Sequence, residues 1–208
     1  MIPTIRAAVP RDLDAVARIH VDCWNEIYNF MPDDVMKSRD HANRLAQWTK
    51  FLAEPRAEAI LFVVVLDDEV VGFAHMEDCN DPDIPDAKGL FNAVYFKKEV
   101  RRLGLGVYLL DRMIKFALDH NQWPAGLWAF RDNPGRHRNE DAGWKPVAYR
   151  DRIIDGHAIP EVGYLAPADP IELYHQMNRH FAEANVDLRM TPPPIVTRYS
   201  SAILDRPA

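Results

Sequence analysis

The strongest constraint in this sequence is the stretch RRLGLG at residues 101–106, which separates a short apolar segment from a long amphipathic one. Residues 90–96 suit a strand, and residues 104–121 repeat apolar side chains at helical spacing. The first turn of a helix presents free N–H groups, and glycines let an anion approach that backbone closely. Two arginines before the turn add cationic donors. We therefore expect a phosphate or pyrophosphate site, with a plain strand-to-helix junction as the alternative.

Two common nucleotide motifs do not fit this stretch. The dinucleotide fingerprint G-x-G-x-x-G requires glycine at position 109, where the chain has Leu109. The Walker motif requires wider glycine spacing and a Gly-Lys-Ser/Thr ending, whereas Val107 and Tyr108 follow here. The anion would therefore belong to another class of ligand.

Apolar periodicity and turn residues divide the chain into predicted elements. The predicted helices span residues 13–27, 32–55, 104–121 and 170–185, with a short one between 133 and 143. The predicted strands span residues 5–8, 60–66, 70–76, 90–96, 126–130, 145–149 and 158–165. The character of the chain changes after residue 165, so we expect a main domain at 1–165 and an appendage at 166–208. The appendage would be the helix 170–185 followed by a Pro-rich extended tail.

Composition and charge argue against several classes of protein. The 208 residues include 25 basic and 31 acidic side chains, a net charge of −6, which disfavours a nucleic-acid or anionic-membrane partner. The longest apolar run, residues 59–66, is far shorter than the roughly 20 residues of a membrane span. No secretory pattern opens the sequence, and Cys23 and Cys79 lack metal-site spacing. We expect a cytoplasmic protein without a metal.

Three blocks of the sequence resemble the Gcn5-related N-acetyltransferase (GNAT) family. Residues 94–118, VYFKKEVRRLGLGVYLLDRMIKFAL, resemble its acetyl-coenzyme A motif R/Q-x-x-G-x-G/A through Arg101, Gly104 and Gly106. Residues 127–148, LWAFRDNPGRHRNEDAGWKPVA, resemble its later strand, Asn-Pro turn and Gly-aromatic ending. The opening IRAAVPRDLDAVARIHVDCWNEIYNFMP resembles one branch of the family. Together the blocks cover roughly residues 4–165.

The resemblance implies an α/β (α+β) fold with a mixed, mostly antiparallel sheet of about seven strands flanked by helices. In this family the fourth strand splays from the fifth, and the pantetheine arm of the coenzyme lies in the gap. The backbone of strand four and the glycine turn would hold the coenzyme, and a residue of the Asn-Pro turn would contact it from the other side. The implied set is Val94, Tyr95, Phe96, Arg101, Arg102, Leu103, Gly104, Leu105, Gly106 and Asn133.

The resemblance also implies direct attack of an acceptor amine on the acetyl thioester. Many members use a tyrosine as acid and a glutamate early in strand four, but these positions are Asn139 and Leu90 here. Asparagine does not titrate, so Asn139 could donate a hydrogen bond but not a proton. His75 and Glu77, two residues apart on one strand, are alternative acid–base candidates. An exposed hairpin pair without a catalytic role is the other interpretation.

One sequence does not identify the acceptor molecule, but the resemblance implies that the acceptor group is an amine. Trp24 and Tyr28 on the first helix are candidates to line its pocket, although aromatic residues on an amphipathic helix usually belong to the core. We predict an enzyme that transfers an acetyl group from acetyl-CoA to a primary amine of a small molecule. The alternative is a non-catalytic sensor or regulatory subunit that binds coenzyme A or acyl-CoA. A homodimer through the appendage is a further hypothesis.

Overall fold

The computed structural model describes residues 3–101 and 103–183, with side chains to residue 176. Seven strands in this part of the chain are β1 (Thr4–Ala7), β2 (Ile60–Leu66), β3 (Glu69–Asp78), β4 (Gly89–Phe96), β5 (Ala125–Phe130), β6 (Lys145–Ile154) and β7 (His157–Leu165). Six α-helices are α1 (Leu13–Ile27), α2 (Asp33–Lys37), α3 (His41–Ala53), α4 (Leu105–Asp119), α5 (His137–Asp141) and α6 (Pro170–Glu183).

The strands form one sheet in the order β1-β2-β3-β4-β5-β7-β6. Every neighbouring pair is antiparallel except β4 and β5, which run parallel. Strand β7 returns from β6 as a hairpin and inserts between β5 and β6. The predicted mixed, mostly antiparallel sheet of seven strands flanked by helices is therefore confirmed.

Helices cover both faces of the sheet, which explains the uninterrupted apolar run of β2. Neighbouring residues of a strand point to opposite faces. Val64 belongs to the core cluster that includes Leu109 and Ile114 of α4, whereas Val63 belongs to the cluster with Trp48 of α3 and residues of α1. Both side chains are fully buried because each face of β2 has its own covering helices.

The prediction of one helical stretch over residues 32–55 was wrong, because the stretch is two helices. Helix α2 ends at Lys37, and α3 begins at His41. Between them Asp40 takes an extended conformation, and its side chain accepts a hydrogen bond from the amide of Asn43 at 2.8 Å. Asp40 is thus the N-cap of a new helix, which starts α3 in its own direction.

The described part of the appendage packs on the main body. Helix α6 begins at Pro170 as predicted, and Asp169 Oδ1 accepts a hydrogen bond from the amide of Ile171 at 2.9 Å. Leu173 and Tyr174 are buried in the core cluster that contains the apolar residues of α4, and the Tyr174 hydroxyl donates to Asp111 at 3.0 Å. The predicted tail beyond the helix lies outside the described residues. The domain boundary at 165 and the homodimer stay predictions.

Within residues 3–101 and 103–183, no helix is both long enough and apolar enough to cross a membrane. The same residues contain no group of three His, Cys, Asp or Glu side chains close enough together to hold a metal ion. The cytoplasmic location and the absence of a metal therefore stay predictions.

Candidate active site

A gap opens between β4 and β5 directly after the point where they meet. The two strands pair only through Gly89 with Ala125 and Leu90 with Gly126. On the other side of β4, His75 of β3 lies opposite Ala93 while Met76 lies opposite Phe91, so Asn92 is an extra residue in β4. Such a bulge bends its strand locally. The bulge therefore lies just beyond the last β4–β5 pair, where the two strands separate.

Backbone groups of β4 face this gap. The amide of Lys97 donates to Val71 on the β3 side at 2.9 Å, whereas the carbonyl of Phe96 accepts from Arg101 Nε at 3.0 Å. Because the backbone groups of a strand alternate between its two sides, those of Val94 and Phe96 lie away from β3. This arrangement supports the predicted pantetheine contact of Val94. The carbonyl of Phe96 already has a partner, and both contacts stay predictions.

The glycine turn has different geometry at its two glycines. Gly104 precedes α4 in the left-handed conformation, with φ 71°, which side chains other than glycine rarely adopt. At Gly106 a Cβ atom would meet no atom within 4 Å from the described residues beyond its chain neighbours and the backbone of its own helix, so packing among them does not require a glycine there. Gly106 lines the cleft described below, and its amide belongs to the first helical turn, where N–H groups lack helical partners. The turn thus presents open backbone to a ligand.

Arg101 of the glycine turn is bound by protein groups and does not point freely toward the expected phosphate. The Arg101 guanidinium turns toward α1, where Nη1 donates to Glu26 at 2.9 Å and Nη2 lies 3.4 Å from the Cys23 sulfur. With Nε on the Phe96 carbonyl, each of its nitrogens has a protein partner. Its predicted contact with phosphate would require those bonds to exchange. Arg102 lies outside the described residues.

A cleft of about 520 Å³ passes through the sheet at the gap. It is lined by β4 and β5 in the middle, by the start of α4 and by α5 on one face, and by α1 and α3 on the other. The lining residues that were predicted from the sequence as site residues are Trp24, Tyr28, His75, Val94, Tyr95, Gly106, Asn133 and Asn139. One cleft therefore connects the glycine turn with the predicted acceptor pocket.

Two asparagines stand at the α4 end of this cleft. Asn133 Oδ1 accepts a hydrogen bond from the amide of Gly135 at 2.8 Å, which fixes the Asn-Pro turn. Asn139 lies on α5, and its carbonyl accepts from the Trp144 amide at 3.0 Å. Both side chains reach the cleft, although their predicted contacts with the coenzyme stay predictions.

The two acid–base candidates have separate environments. His75 is buried against the rings of Trp48 and Phe51, and it lines the cleft. Its Nε2 has no hydrogen-bond partner among the described residues. Burial lowers the pKa of His75 to about 4, even though the charge of Glu77 opposes that shift. His75 is consequently a neutral imidazole at neutral pH.

Glu77 lies outside the lining of the cleft and is bound by other groups. It forms an ion pair with Arg56, and Glu77 Oε1 accepts from Asn92 Nδ2 at 2.6 Å. Its strand partner on β4 is Leu90, the position where the resemblance would place a glutamate. The structure thus brings His75 to the cleft and holds Glu77 beside it. Catalytic roles for both stay predictions.

Aromatic residues form the α1 end of the cleft. Trp24 and Tyr28 are buried with Phe130 in one cluster and also line the cleft, so they belong to both core and pocket. The hydroxyls of Tyr28 and Tyr95 lie 3.3 Å apart. Burial raises the pKa of both tyrosines, which therefore remain protonated and can donate hydrogen bonds. A role of Trp24 and Tyr28 in acceptor binding stays a prediction.

Six further polar residues line this end of the cleft and were not predicted from the sequence: His20, Arg39, Arg44, Gln47, Arg152 and Glu161. They come from α1, the α2–α3 junction, α3, β6 and β7. No spacing in the sequence relates them, since only folding brings these elements together. The one local signal was the N-cap at Asp40, because the turn that it forms brings Arg39 before α3 and Arg44 within α3.

Comparison with known proteins agrees with this geometry. The family model described as "Acetyltransferase (GNAT) family" matches residues 13–138, more than half of the chain. YuaI of Bacillus subtilis (strain 168), an uncharacterised N-acetyltransferase, is 27% identical over 164 residues, which cover 77% of this chain and 90% of YuaI.

Two solved structures share the fold at low sequence identity. The PaiA N-acetyltransferase of Thermoplasma acidophilum, in complex with coenzyme A, has a TM-score of 0.59 and 15% identity over 78% of this chain and 98% of its own. YncA of Salmonella typhimurium, a putative acetyltransferase with its cofactor acetyl-CoA, has a TM-score of 0.58 and 20% identity over 81% of this chain and 95% of its own. With the splayed strands, the glycine turn and the family match, the chain belongs to the acetyltransferase (GNAT) family.

Proposed function

We propose that this protein transfers the acetyl group of acetyl-CoA to the primary amine of a small molecule by direct attack on the thioester. The observation that carries the proposal is the single cleft that joins the start of α4 to the α1 and α3 pocket through the β4–β5 gap. A coenzyme would enter from the first face and an acceptor from the second. Relatives with coenzyme A or acetyl-CoA in their solved structures support the choice of co-substrate.

The residues present fit a pyrophosphate at the start of α4. Open space where Gly106 would carry a Cβ leaves room for a phosphate oxygen against the backbone. The helix N-terminus contributes about half a positive charge there, which favours an anion. Amides of the turn would bind the pyrophosphate, Val94 would bind the pantetheine arm through its backbone, and Asn133 would approach from the opposite wall.

Hydrogen-bond donors, and not titrating acids, would stabilise the negative charge that develops on the carbonyl oxygen and the sulfur in the transition state. Attack by an amine places negative charge on the carbonyl oxygen, and a backbone N–H of β4 facing the gap can stabilise that charge. Asn139 can donate a hydrogen bond to the departing sulfur without transferring a proton. The Tyr28 and Tyr95 hydroxyls are further donors on the acceptor side.

The ammonium form of the acceptor must lose a proton before its nitrogen can attack, and that proton needs an acceptor. The Nε2 of His75 has no hydrogen-bond partner among the described residues but is shielded from solvent, so it can accept a hydrogen bond from a ligand only after the ring turns toward the cleft, and a pKa of about 4 makes it a weak base. We therefore assign His75 to orienting the amine or a water, and water carries the proton away. This step is the part of the mechanism that mutation of His75 tests.

One observation favours the second candidate, a non-catalytic coenzyme A sensor. The two positions that carry the usual acid–base groups hold Asn139 and Leu90, and neither side chain titrates. A sensor would use the same coenzyme site and would have no need of the pocket between α1 and α3. The lined and connected pocket is therefore the feature that makes the enzyme the first choice.

Release of thiol from acetyl-CoA, followed colorimetrically, tests the proposal across amino acids, polyamines, aminoglycosides and peptide N-termini. The same samples are heated to measure the thermal shift that acetyl-CoA produces. Amine-dependent thiol release would support the enzyme. A thermal shift without thiol release for any amine would favour the sensor. Absence of a thermal shift would contradict the coenzyme site at the start of α4.

A further inference from the structure

Positive charge dominates the acceptor end of the cleft. Arg39, Arg44 and Arg152 line it, and Glu161 is the one acidic side chain among its described lining residues. Arg39 and Arg152 lie near enough to Arg44 for their charges to disfavour its charged form. Nearby His20 is buried, and its pKa falls to about 2, so it adds no charge at neutral pH. The pocket thus has more cations than anions.

Two of these arginines have carboxylate partners. Arg39 Nη1 lies 2.9 Å from Asp155 Oδ2, and Arg152 Nη1 lies 4.0 Å from Glu161 Oε2. The carboxylate of Glu161 is itself bound more closely by Arg150, at 2.7 Å. The contact of Arg152 with Glu161 is therefore loose and shared.

Arg44 has no carboxylate partner within the part of the chain that the structure describes. Its Nη1 donates to Gln47 Oε1 at 2.8 Å, while its Nε and Nη2 are shielded from solvent and have no hydrogen-bond partner there. Its guanidinium carbon lies 4.8 Å from the centre of the Trp24 ring, a cation–π contact. Burial, the largest cause, lowers the pKa of Arg44 to about 10, so it remains charged at neutral pH.

A buried cation without an anion is costly, and proteins usually pair it. The unpartnered Nε and Nη2 form one edge of the guanidinium, and two parallel N–H groups on such an edge match the two oxygens of a carboxylate. Protein atoms cover that edge, so an anion would reach it only after the guanidinium had turned from Trp24 toward the cleft. The missing partner is then supplied by the substrate.

We propose that Arg44, with Arg152 beside it, binds a carboxylate of the acceptor, so that the substrates are primary amines that also carry a carboxylate, such as amino acids. This inference rests on the proposed acetyl transfer. The same charges would repel polyamines and aminoglycosides, whose several ammonium groups meet three guanidinium groups. The acceptor amine would point from the carboxylate site toward β4 and the gap.

Amino acids paired with their own amides test the inference, because each pair differs in the carboxylate alone. Thermal shifts are measured for all pairs with the free protein and with the protein loaded with coenzyme A, and kcat/KM is measured with acetyl-CoA. We expect at least one amino acid to stabilise the protein and to exceed its amide in kcat/KM by about 10-fold or more, the value of one charged hydrogen-bonded pair.

Variants of Arg44 test whether this side chain binds the carboxylate of the acceptor. Arg44→Gln should abolish the preference for the acid over the amide, and Arg44→Lys should retain part of it because the charge remains without the paired donors. Because the cost of holding the unpaired Arg44 charge away from water offsets its contacts with Gln47 and Trp24, its removal should leave the melting temperature of the free protein nearly unchanged. Arg18→Gln is the control, since Arg18 is exposed on α1 and pairs only with Asp14 among its ion pairs described here.

The inference is overturned if amides or polyamines are preferred, if no amino acid binds, or if Arg44→Gln keeps the preference. Failure of the proposed function looks different, because no amine would then release thiol from acetyl-CoA, whether or not the coenzyme itself produces a thermal shift. The amino-acid shifts of the free protein judge the carboxylate site in that case as well.

Discussion

Replacing Gly106 by alanine separates a structural reason for this glycine from a ligand-binding one. Apart from its chain neighbours and the backbone of its own helix, the described part of the chain places no atom within 4 Å of a Cβ at position 106, and the backbone of α4 there is compatible with alanine. The added methyl group would point into the cleft, where the coenzyme pyrophosphate is expected. The folded protein should therefore accept the change, and the ligand should not.

The two effects have opposite signs. Alanine is more favourable than glycine in a helix by about 0.5–1 kcal/mol, which corresponds to a rise of up to about 4 °C in melting temperature for a chain of this size. Loss of one charge-assisted hydrogen bond between a backbone N–H and a phosphate oxygen costs about 1.5–3 kcal/mol. Acetyl-CoA should thus bind about 10- to 100-fold more weakly.

Thermal shift with and without acetyl-CoA measures both effects in one titration. Gly104→Ala is the matched comparison, since it is two residues away and has a φ of 71°. A non-glycine residue in that conformation costs about 1–2 kcal/mol, so this variant should lower the melting temperature of the free protein as well as the affinity. Gly106→Ala should lower the affinity without lowering the melting temperature of the free protein.

Unchanged affinity for acetyl-CoA in Gly106→Ala would refute the coenzyme site at the start of α4. A lower melting temperature of the free variant would refute the open space around Gly106. Either result is obtained without knowledge of the acceptor.

Three further predictions concern other parts of the molecule. Burial lowers the pKa of His75 to about 4 and that of His20 to about 2, whereas the unfolded chain takes up these protons below pH 6.5. The contribution of the two neutral histidines to the free energy of unfolding is therefore fully present above pH 6.5 and falls as the pH drops, by about 2 kcal/mol for His75 at pH 5. Urea unfolding of His75→Gln should show a smaller loss of stability between pH 7 and pH 5 than the unmodified protein, and an equal loss would contradict this. Arg6 binds Asp12 at 2.6 Å and holds the pKa of the Asp12 carboxyl below its usual range. The contribution of this ion pair to the stability is therefore present above the unfolded pKa near 3.8, and it is lost as the pH falls through the lower pKa of the folded protein. Asp12→Asn should cost about 1–3 kcal/mol in urea unfolding at pH 7, and no loss would mean that the pair is unimportant. Asn139→Ala should lower kcat about 10-fold while the acetyl-CoA thermal shift is unchanged; an unchanged kcat would remove Asn139 from the mechanism.

Elements with sharp local boundaries could be predicted from the sequence. Strand β2 was predicted over its full range, because its apolar run ends at the turn residues Asp67 and Asp68, which both have positive φ. The break between α2 and α3 was missed, although Asp40 three residues before Asn43 has the spacing of an N-cap. The apolar residues on both sides of the break have a helical spacing, so one continuous helix was predicted and the N-cap at Asp40 was not recognised.

Side-chain environments in the site depended on contacts that no local pattern records. His75 looks like a residue of an exposed hairpin until Trp48 and Phe51 of α3 cover it. Arg101 was predicted to face a phosphate, yet its partner Glu26 is 75 positions away on α1. The charge of the acceptor pocket likewise combines side chains from separate elements, so it became visible only in the fold.

The narrow junction between β4 and β5 has a consequence for the lifetime of the chain. Two residue pairs join a four-stranded part of the sheet to a three-stranded part. A coenzyme in the gap would bridge the two parts, and at 100 times its Kd it would add about 2.7 kcal/mol to the stability by mass action. Proteases act on transiently opened chains, so the supply of acetyl-CoA would then set how long each molecule survives.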